Sequence, residues 1–251
     1  MRAPHQLLHS RARVRLRYAL FPLEGYPLSK LPAWPDAEVR ILASPALGAE
    51  FAQYFLTVPA NRGTQTAADG RIETFFYVLD GEFRLNIDGG PESRLTAGGF
   101  ALIPSTAGYQ LHATSGGTLL MLKKVYERVD GIAVPGPVIG NESDVPAQIY
   151  LGDEASRLQT LIPDEIPFDL AMNIFTFAPG RSLPVVETHI MEHGLYFLQG
   201  KGVYYLDDEW MEVEAGDFIW MGPYVPQSFY ATGPTPSRYI YYKNVNRDVV
   251  L

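Results

Sequence analysis

Apolar and polar positions alternate in short runs along most of this chain. In "RARVRLRY" (11–18), Arg11, Arg13, Arg15 and Arg17 fall on one side and Ala12, Val14, Leu16 and Tyr18 on the other. That period of two predicts a half-buried strand. "FDLAMNIFTFAPG" (168–180) alternates in the same way and stops at a Pro-Gly turn, and "LYFLQGKGVYYLD" (195–207) is aromatic and apolar around two glycines. Such runs recur about every 8–12 residues between Gly, Pro, Asn and Asp, the spacing of an antiparallel sandwich or small barrel. "EASRLQTL" (154–161) is expected to add a helical turn or two.

The runs repeat. "IETFFYVLDGEFRLNI" (72–87) lies over "MEHGLYFLQGKGVYYL" (191–206), matching Tyr77 with Tyr196 and Gly81 with Gly200. "TAGGFALIPSTAGYQLHATSGG" (96–117) lies over "EAGDFIWMGPYVPQSFYATGPT" (214–235), matching Gly98 with Gly216 and Phe100 with Phe218. The offsets, 119 and 118, differ by one residue, so a one-residue hairpin deletion reconciles them and the chain reads as a tandem duplication. The organisation expected is a strand-rich segment at 1–50, a first barrel at 51–129, a proline- and glycine-rich linker at 130–167 and a second barrel at 168–251.

Composition narrows the function. With 251 residues there is room for two small cores, and the formal charge of −8 speaks against general nucleic-acid binding, which needs a basic surface. The absence of cysteine excludes disulfides and thiolate sites and fits a reducing, cytoplasmic setting. No apolar run approaches the roughly 20 residues of a membrane helix. The arginine-rich start lacks a signal-peptide core, and the sequon at Asn141 reads as accidental.

Candidate chemistry concentrates in "VVETHIMEHG" (185–194), which holds Glu187, His189 and His193, two of the five histidines. His189 to His193 also reads H-x-x-E-H, the inverted zinc-peptidase motif, but its β-branched and aromatic neighbours favour strand over helix. On a strand Glu187 and His189 share a face about 7 Å apart, and His193 returns to it. Buried imidazoles and a carboxylate need a partner, and a cation supplies one.

The pattern PG-x6-E-x-H-x3-H-x6-G, followed by "GDFIWMGPYVPQSF", resembles the two cupin motifs. Glu187 stands where the first cupin histidine belongs, His193 where the glutamate belongs and Gln227 where the last histidine belongs; His189 is unchanged. This set, with "SPALGAEF" (44–51), "ETHIMEHGLYFLQGKGVY" (187–204) and "YIYYKNVNRDV" (239–249), resembles the bicupin (S)-ureidoglycine aminohydrolases of purine (allantoin) catabolism. The resemblance implies an all-β pair of cupin barrels and a hydrolase acting on a C–N bond of the linear amidine (ureide) type. It implies Mn²⁺, with Fe²⁺ or another divalent ion possible, on Glu187, His189, His193 and Gln227. It also implies a substrate site of Glu187, Gln227, Tyr204, Tyr239 and Lys243, with Glu187 and Lys243 catalytic: Lys243 holds the carboxylate, and Glu187 moves a proton if its second oxygen is free.

By the internal alignment the ligand positions of the first copy are Ala68, Gly70, Thr74 and Tyr109, so that barrel is expected to be metal-free; His112 falls opposite Tyr230, not a ligand. Partners expected are a small ureide and further copies of the chain, with the basic strand at 11–17 as a contact, and neither nucleic acid nor membrane. An iron-dependent cupin dioxygenase and a non-enzymatic metal-stabilised binding module are the alternatives.

Overall fold

The computed structural model describes residues 11–248. Residues 1–10, the start judged not to be a signal peptide, and 249–251, where the last quoted motif ends, lie outside them. The described chain is almost entirely strand and turn, with 3-10 turns at Leu23–Gly25, Pro45–Leu47 and Glu142–Asp144. It divides into two β units, as the duplication requires.

One unit contains residues 27–145, 161–169 and 246–248. Its sheet is built on the long strands Ile72–Ile87 and Tyr109–Val125, paired antiparallel and flanked by Phe51–Val58 and Gly99–Ile103. The alternation read from sequence puts Phe76, Phe83, Leu85, Leu111 and Leu119 into one core. Tyr109 caps Thr66 and Thr74 with its hydroxyl, Ala68 and Gly70 are exposed, and His112 is exposed on its strand. None of these four aligned positions forms a set of donors.

The other unit contains residues 11–26, 146–160 and 170–245. Leu170–Phe177, Ser237–Asn244, His193–Gln199 and Phe218–Met221 form the centre of a sheet, while Lys201–Leu206, Glu209–Glu214 and Gln227–Ala231 form a second one. Phe177 and Phe197 from the first sheet pack on Tyr204 and Phe229 from the second. Each such ring contributes about 1.5–3 kcal/mol by burial. The duplicated glycines have matching roles: Gly81 (φ 87°) and Gly200 (φ 79°), then Gly98 (φ 78°) and Gly216 (φ 93°), all take the left-handed conformation glycine adopts without strain.

The expected boundaries differ from these units. The stretch 130–167, read as a linker, contains the strands Val138–Asn141, Gln148–Tyr150 and Asp153–Thr160. The first pairs with Gly99–Ile103, and the last lies between Gln148–Tyr150 and Leu170–Phe177. The helical turn expected at 154–161 is therefore a strand, because Leu170–Phe177 offers an open edge for it to pair with. The stretch 161–169 stays with the first unit, where the fully buried Asp169 binds Lys124 Nζ (2.6 Å) and accepts from the Glu127 amide (2.7 Å). The described part of 1–50, residues 11–50, does not act together either: Tyr18–Phe21 pairs with Phe218–Met221, whereas Trp34–Ala43 pairs with Phe51–Val58.

Within the basic alternating run only Arg13–Val14 and Tyr18 are strand, and the apolar side is split: Tyr18 is buried in the core, whereas Val14 is 54% and Leu16 95% exposed. Before Tyr18 the arginines do the holding. Arg11 forks onto the buried Asp217 and also reaches Glu214, Arg15 meets Glu209, and Arg17 meets Asp207. All of these partners lie in the same unit, while Arg13 donates to the Ala12 carbonyl (3.0 Å). No helix among the described residues is long and apolar enough to cross a membrane.

Candidate metal centre

The residues around Glu187 form a stitched loop, not the regular strand expected from their alternation. Pro184 interrupts the run, and only isolated bridges, Ser182 with Tyr230 and Glu187 with Gln227, tie it to the second sheet. Glu187 N donates to Gln227 O (2.8 Å), Gln227 N donates to Glu187 O (2.9 Å), and Tyr224 N donates to His189 O (2.7 Å). These bonds place Glu187 directly across from Gln227. Regular strand begins at His193, which pairs with Lys243 on one side and Met221 on the other.

The loop and the strand bring both imidazoles together. His193 Nδ1 lies 2.9 Å from Tyr242 O, and His189 Nδ1 lies 3.1 Å from Met191 O. A carbonyl only accepts, so each Nδ1 carries the proton and each Nε2 carries a lone pair. The two Nε2 atoms are 3.2 Å apart. Burial, followed by the neighbouring His189, pushes the His193 pKa down to about 3; burial and then Lys243 lower that of His189. Both rings are therefore neutral at pH 7, with lone pairs aimed at one another in a buried site. Two facing lone pairs repel, and a cation between the rings would turn that repulsion into coordination.

Gln227, 3% exposed, brings its side-chain amide within 3.4 Å of His189 Nε2 and accepts from the Tyr204 hydroxyl at 2.8 Å. Tyr239 in turn hydrogen-bonds to Tyr204. Both tyrosines are fully buried, so desolvation raises their pKa values and they stay protonated. A recess of about 10 Å³, room for one ion or water molecule, is lined by Glu187, His193, Gln227, Tyr204, Tyr239 and Tyr241 among others. Glu187 turns one oxygen to the Tyr150 hydroxyl, at 2.5 Å. Among the described residues, no three His, Asp or Glu side chains close around an ion.

Lys243 follows Tyr239 and Tyr241 at a spacing of two on one strand and faces His193 across the ladder. It has no salt-bridge partner among the described residues, and its charge reaches both imidazoles. Every residue assigned to the site from sequence thus lies in or beside one recess. Two others were missed. Tyr241 sets its ring edge-on to His193 (5.3 Å) and stacks on Phe175, while Asn173 donates to its hydroxyl (3.2 Å); its place in the alternation with Tyr239 and Lys243 was the available signal. Tyr150 carried no sequence signal.

A pH dependence follows. With its folded pKa depressed, His193 contributes stability that is fully present above the ordinary value near 6.5 and is lost as pH falls toward 3. Metal-stripped protein is expected to lose about 2 kcal/mol between pH 7 and pH 5 from this group alone. Urea unfolding at the two pH values checks it, and His193→Ala removes that part of the difference.

Comparison with known proteins agrees with this fold. The family model described as a cupin domain matches residues 173–242, and one described as an EutQ-like cupin domain matches residues 47–126. The (S)-ureidoglycine aminohydrolase of Escherichia coli (strain K12) is 37% identical over 97% of this chain and 94% of its own. The Arabidopsis thaliana enzyme of the same name is 33% identical over 92% of this chain and 76% of its own. The crystal structure of the E. coli protein Ylba superposes with a TM-score of 0.87 at 34% identity, covering 100% of both chains. An oxalate decarboxylase of Bacillus subtilis superposes with a TM-score of 0.73 at 11% identity, over 99% of this chain and 85% of its own, a likeness of fold alone.

Proposed function

Because the chain belongs to the bicupin (S)-ureidoglycine aminohydrolase family, we propose that it replaces the amine of (S)-ureidoglycine with a hydroxyl, releasing ammonia and (S)-ureidoglycolate, at a divalent-metal centre in its second barrel. The observation that carries this reading is the pair of neutral imidazoles whose Nε2 lone pairs meet at 3.2 Å beside Gln227 and Glu187. Glu187, His189, His193 and Gln227 would hold the ion, and this oxygen–nitrogen set suits Mn²⁺ or Fe²⁺. Gln227 offers its oxygen after a half-turn of its amide, with the freed nitrogen then donating to Tyr204. When bound, the ion supplies a Lewis acid and a template for the substrate.

The side chains divide the remaining work. Lys243, without a salt-bridge partner among the described residues, takes the substrate carboxylate. Tyr204 and Tyr239 hold Gln227 in place and line the recess. Glu187, through the second lone pair of the oxygen that Tyr150 holds, moves the ureido N–H proton to the departing amine, which leaves as ammonia and makes an acylimine. It then moves a proton from the incoming water to the same nitrogen while the water oxygen bonds to carbon. Atoms and charge balance over the two steps. We place the reaction in the cytoplasm and in purine (allantoin) catabolism.

Freshly generated (S)-ureidoglycine, given to the Mn²⁺-loaded protein under nitrogen, is expected to yield one ammonia per ureidoglycolate. Activity that requires oxygen would instead mark a cupin dioxygenase, and no turnover with ligand affinity unchanged in Glu187→Ala would mark a binding module.

A further inference from the structure

Tyr150 ends the strand Gln148–Tyr150, and the tight turn after it is strained. Tyr150 pairs directly with Asp153, so Leu151 (φ 46°) and Gly152 (φ 81°) form a two-residue loop with both residues left-handed. Such loops favour Asn, Asp or Gly, and a leucine there is unfavourable. Leu151 is 63% exposed, so its own packing does not compensate. What the turn fixes is its ends. Tyr150 packs edge-on against Phe175, a wall of the recess (4.7 Å), and delivers its hydroxyl to Glu187 Oε1 at 2.5 Å. The backbone of Glu187 is already pinned on both sides to Gln227, so the orientation of its carboxylate is the freedom left to fix.

We propose that Tyr150 is a positioning residue for the metal centre: its hydroxyl takes one oxygen of Glu187 and leaves that carboxylate a single oxygen to offer an ion. This rests on the metal reading above. Glu187 is thereby oriented before the ion arrives and is kept from chelating it with both oxygens, which leaves coordination sites for substrate. The bond is short and charge-assisted, the kind that sets the direction of a ligand.

The test is a double-mutant cycle read by Ni²⁺ affinity on metal-stripped protein, because nickel binds imidazole well enough to be measured without the carboxylate. Tyr150→Phe keeps the ring and removes only the hydroxyl. It is expected to weaken Ni²⁺ binding about 10-fold in the otherwise native protein, in the range of outer-shell losses. In a Glu187→Ala background the same change is expected to leave affinity about unchanged, since the group it positions is gone. Equal weakening in both backgrounds, or none in the native one, overturns the proposal. A native protein that binds neither Ni²⁺ nor Mn²⁺ overturns the metal reading itself.

Discussion

His193→Ala is expected to strip the second barrel of its ion and to abolish ammonia release together. His193 is 4% exposed, begins a strand between two others, and has its ring fixed by Tyr242 O, so its Nε2 can point only at His189. No other side chain of the recess can supply that nitrogen. Changing a group one shell further out typically costs about 10–100-fold in metal affinity, and removing a ligand is expected to cost more. Calorimetric titration with Mn²⁺ alongside the ammonia assay reads both effects. Thr74→Ala, at the aligned place in the first barrel, is expected to leave both intact, because Thr74 there hydrogen-bonds to the Tyr109 hydroxyl.

Lys243→Met is the second large effect, and it falls on the substrate. The ammonium has no acidic partner among the described residues and stands across the ladder from His193. Losing a charge-assisted bond to a carboxylate removes about 1.5–3 kcal/mol, so kcat/KM is expected to fall about 10- to 100-fold, mostly through KM. Mn²⁺ affinity is expected to hold or rise slightly, since a like charge near the imidazoles is gone. A fall in Mn²⁺ affinity with KM unchanged would place Lys243 with the ion and not with the substrate.

Much of this was legible in the chain because its information is local. Paired glycines at turns disclosed the duplication, since left-handed backbone selects glycine in both copies. Glu187, His189, His193 and Gln227 carried a spacing that survives even though the stretch before His193 is a loop. What was hidden depends on distant pairing. Alternation in "RARVRLRY" promised a buried face, but Tyr18 is buried while Val14 and Leu16 are exposed, and salt bridges to Glu209, Glu214 and Asp217, and to Asp207 beside them, hold the rest of the segment. Prolines and glycines marked 130–167 as linker, yet open strand edges recruit it into one sheet of each unit. Tyr150 was invisible for the same reason: its partner, Glu187, lies 37 residues away, and nothing near Tyr150 announces it.

Anomalous diffraction from crystals soaked in Mn²⁺ tests the central claim most directly. The account expects one strong peak per chain, within bonding distance of Glu187, His189, His193 and Gln227. A peak beside Thr74 and Tyr109 in the first barrel, or no peak between the two imidazoles, would contradict it.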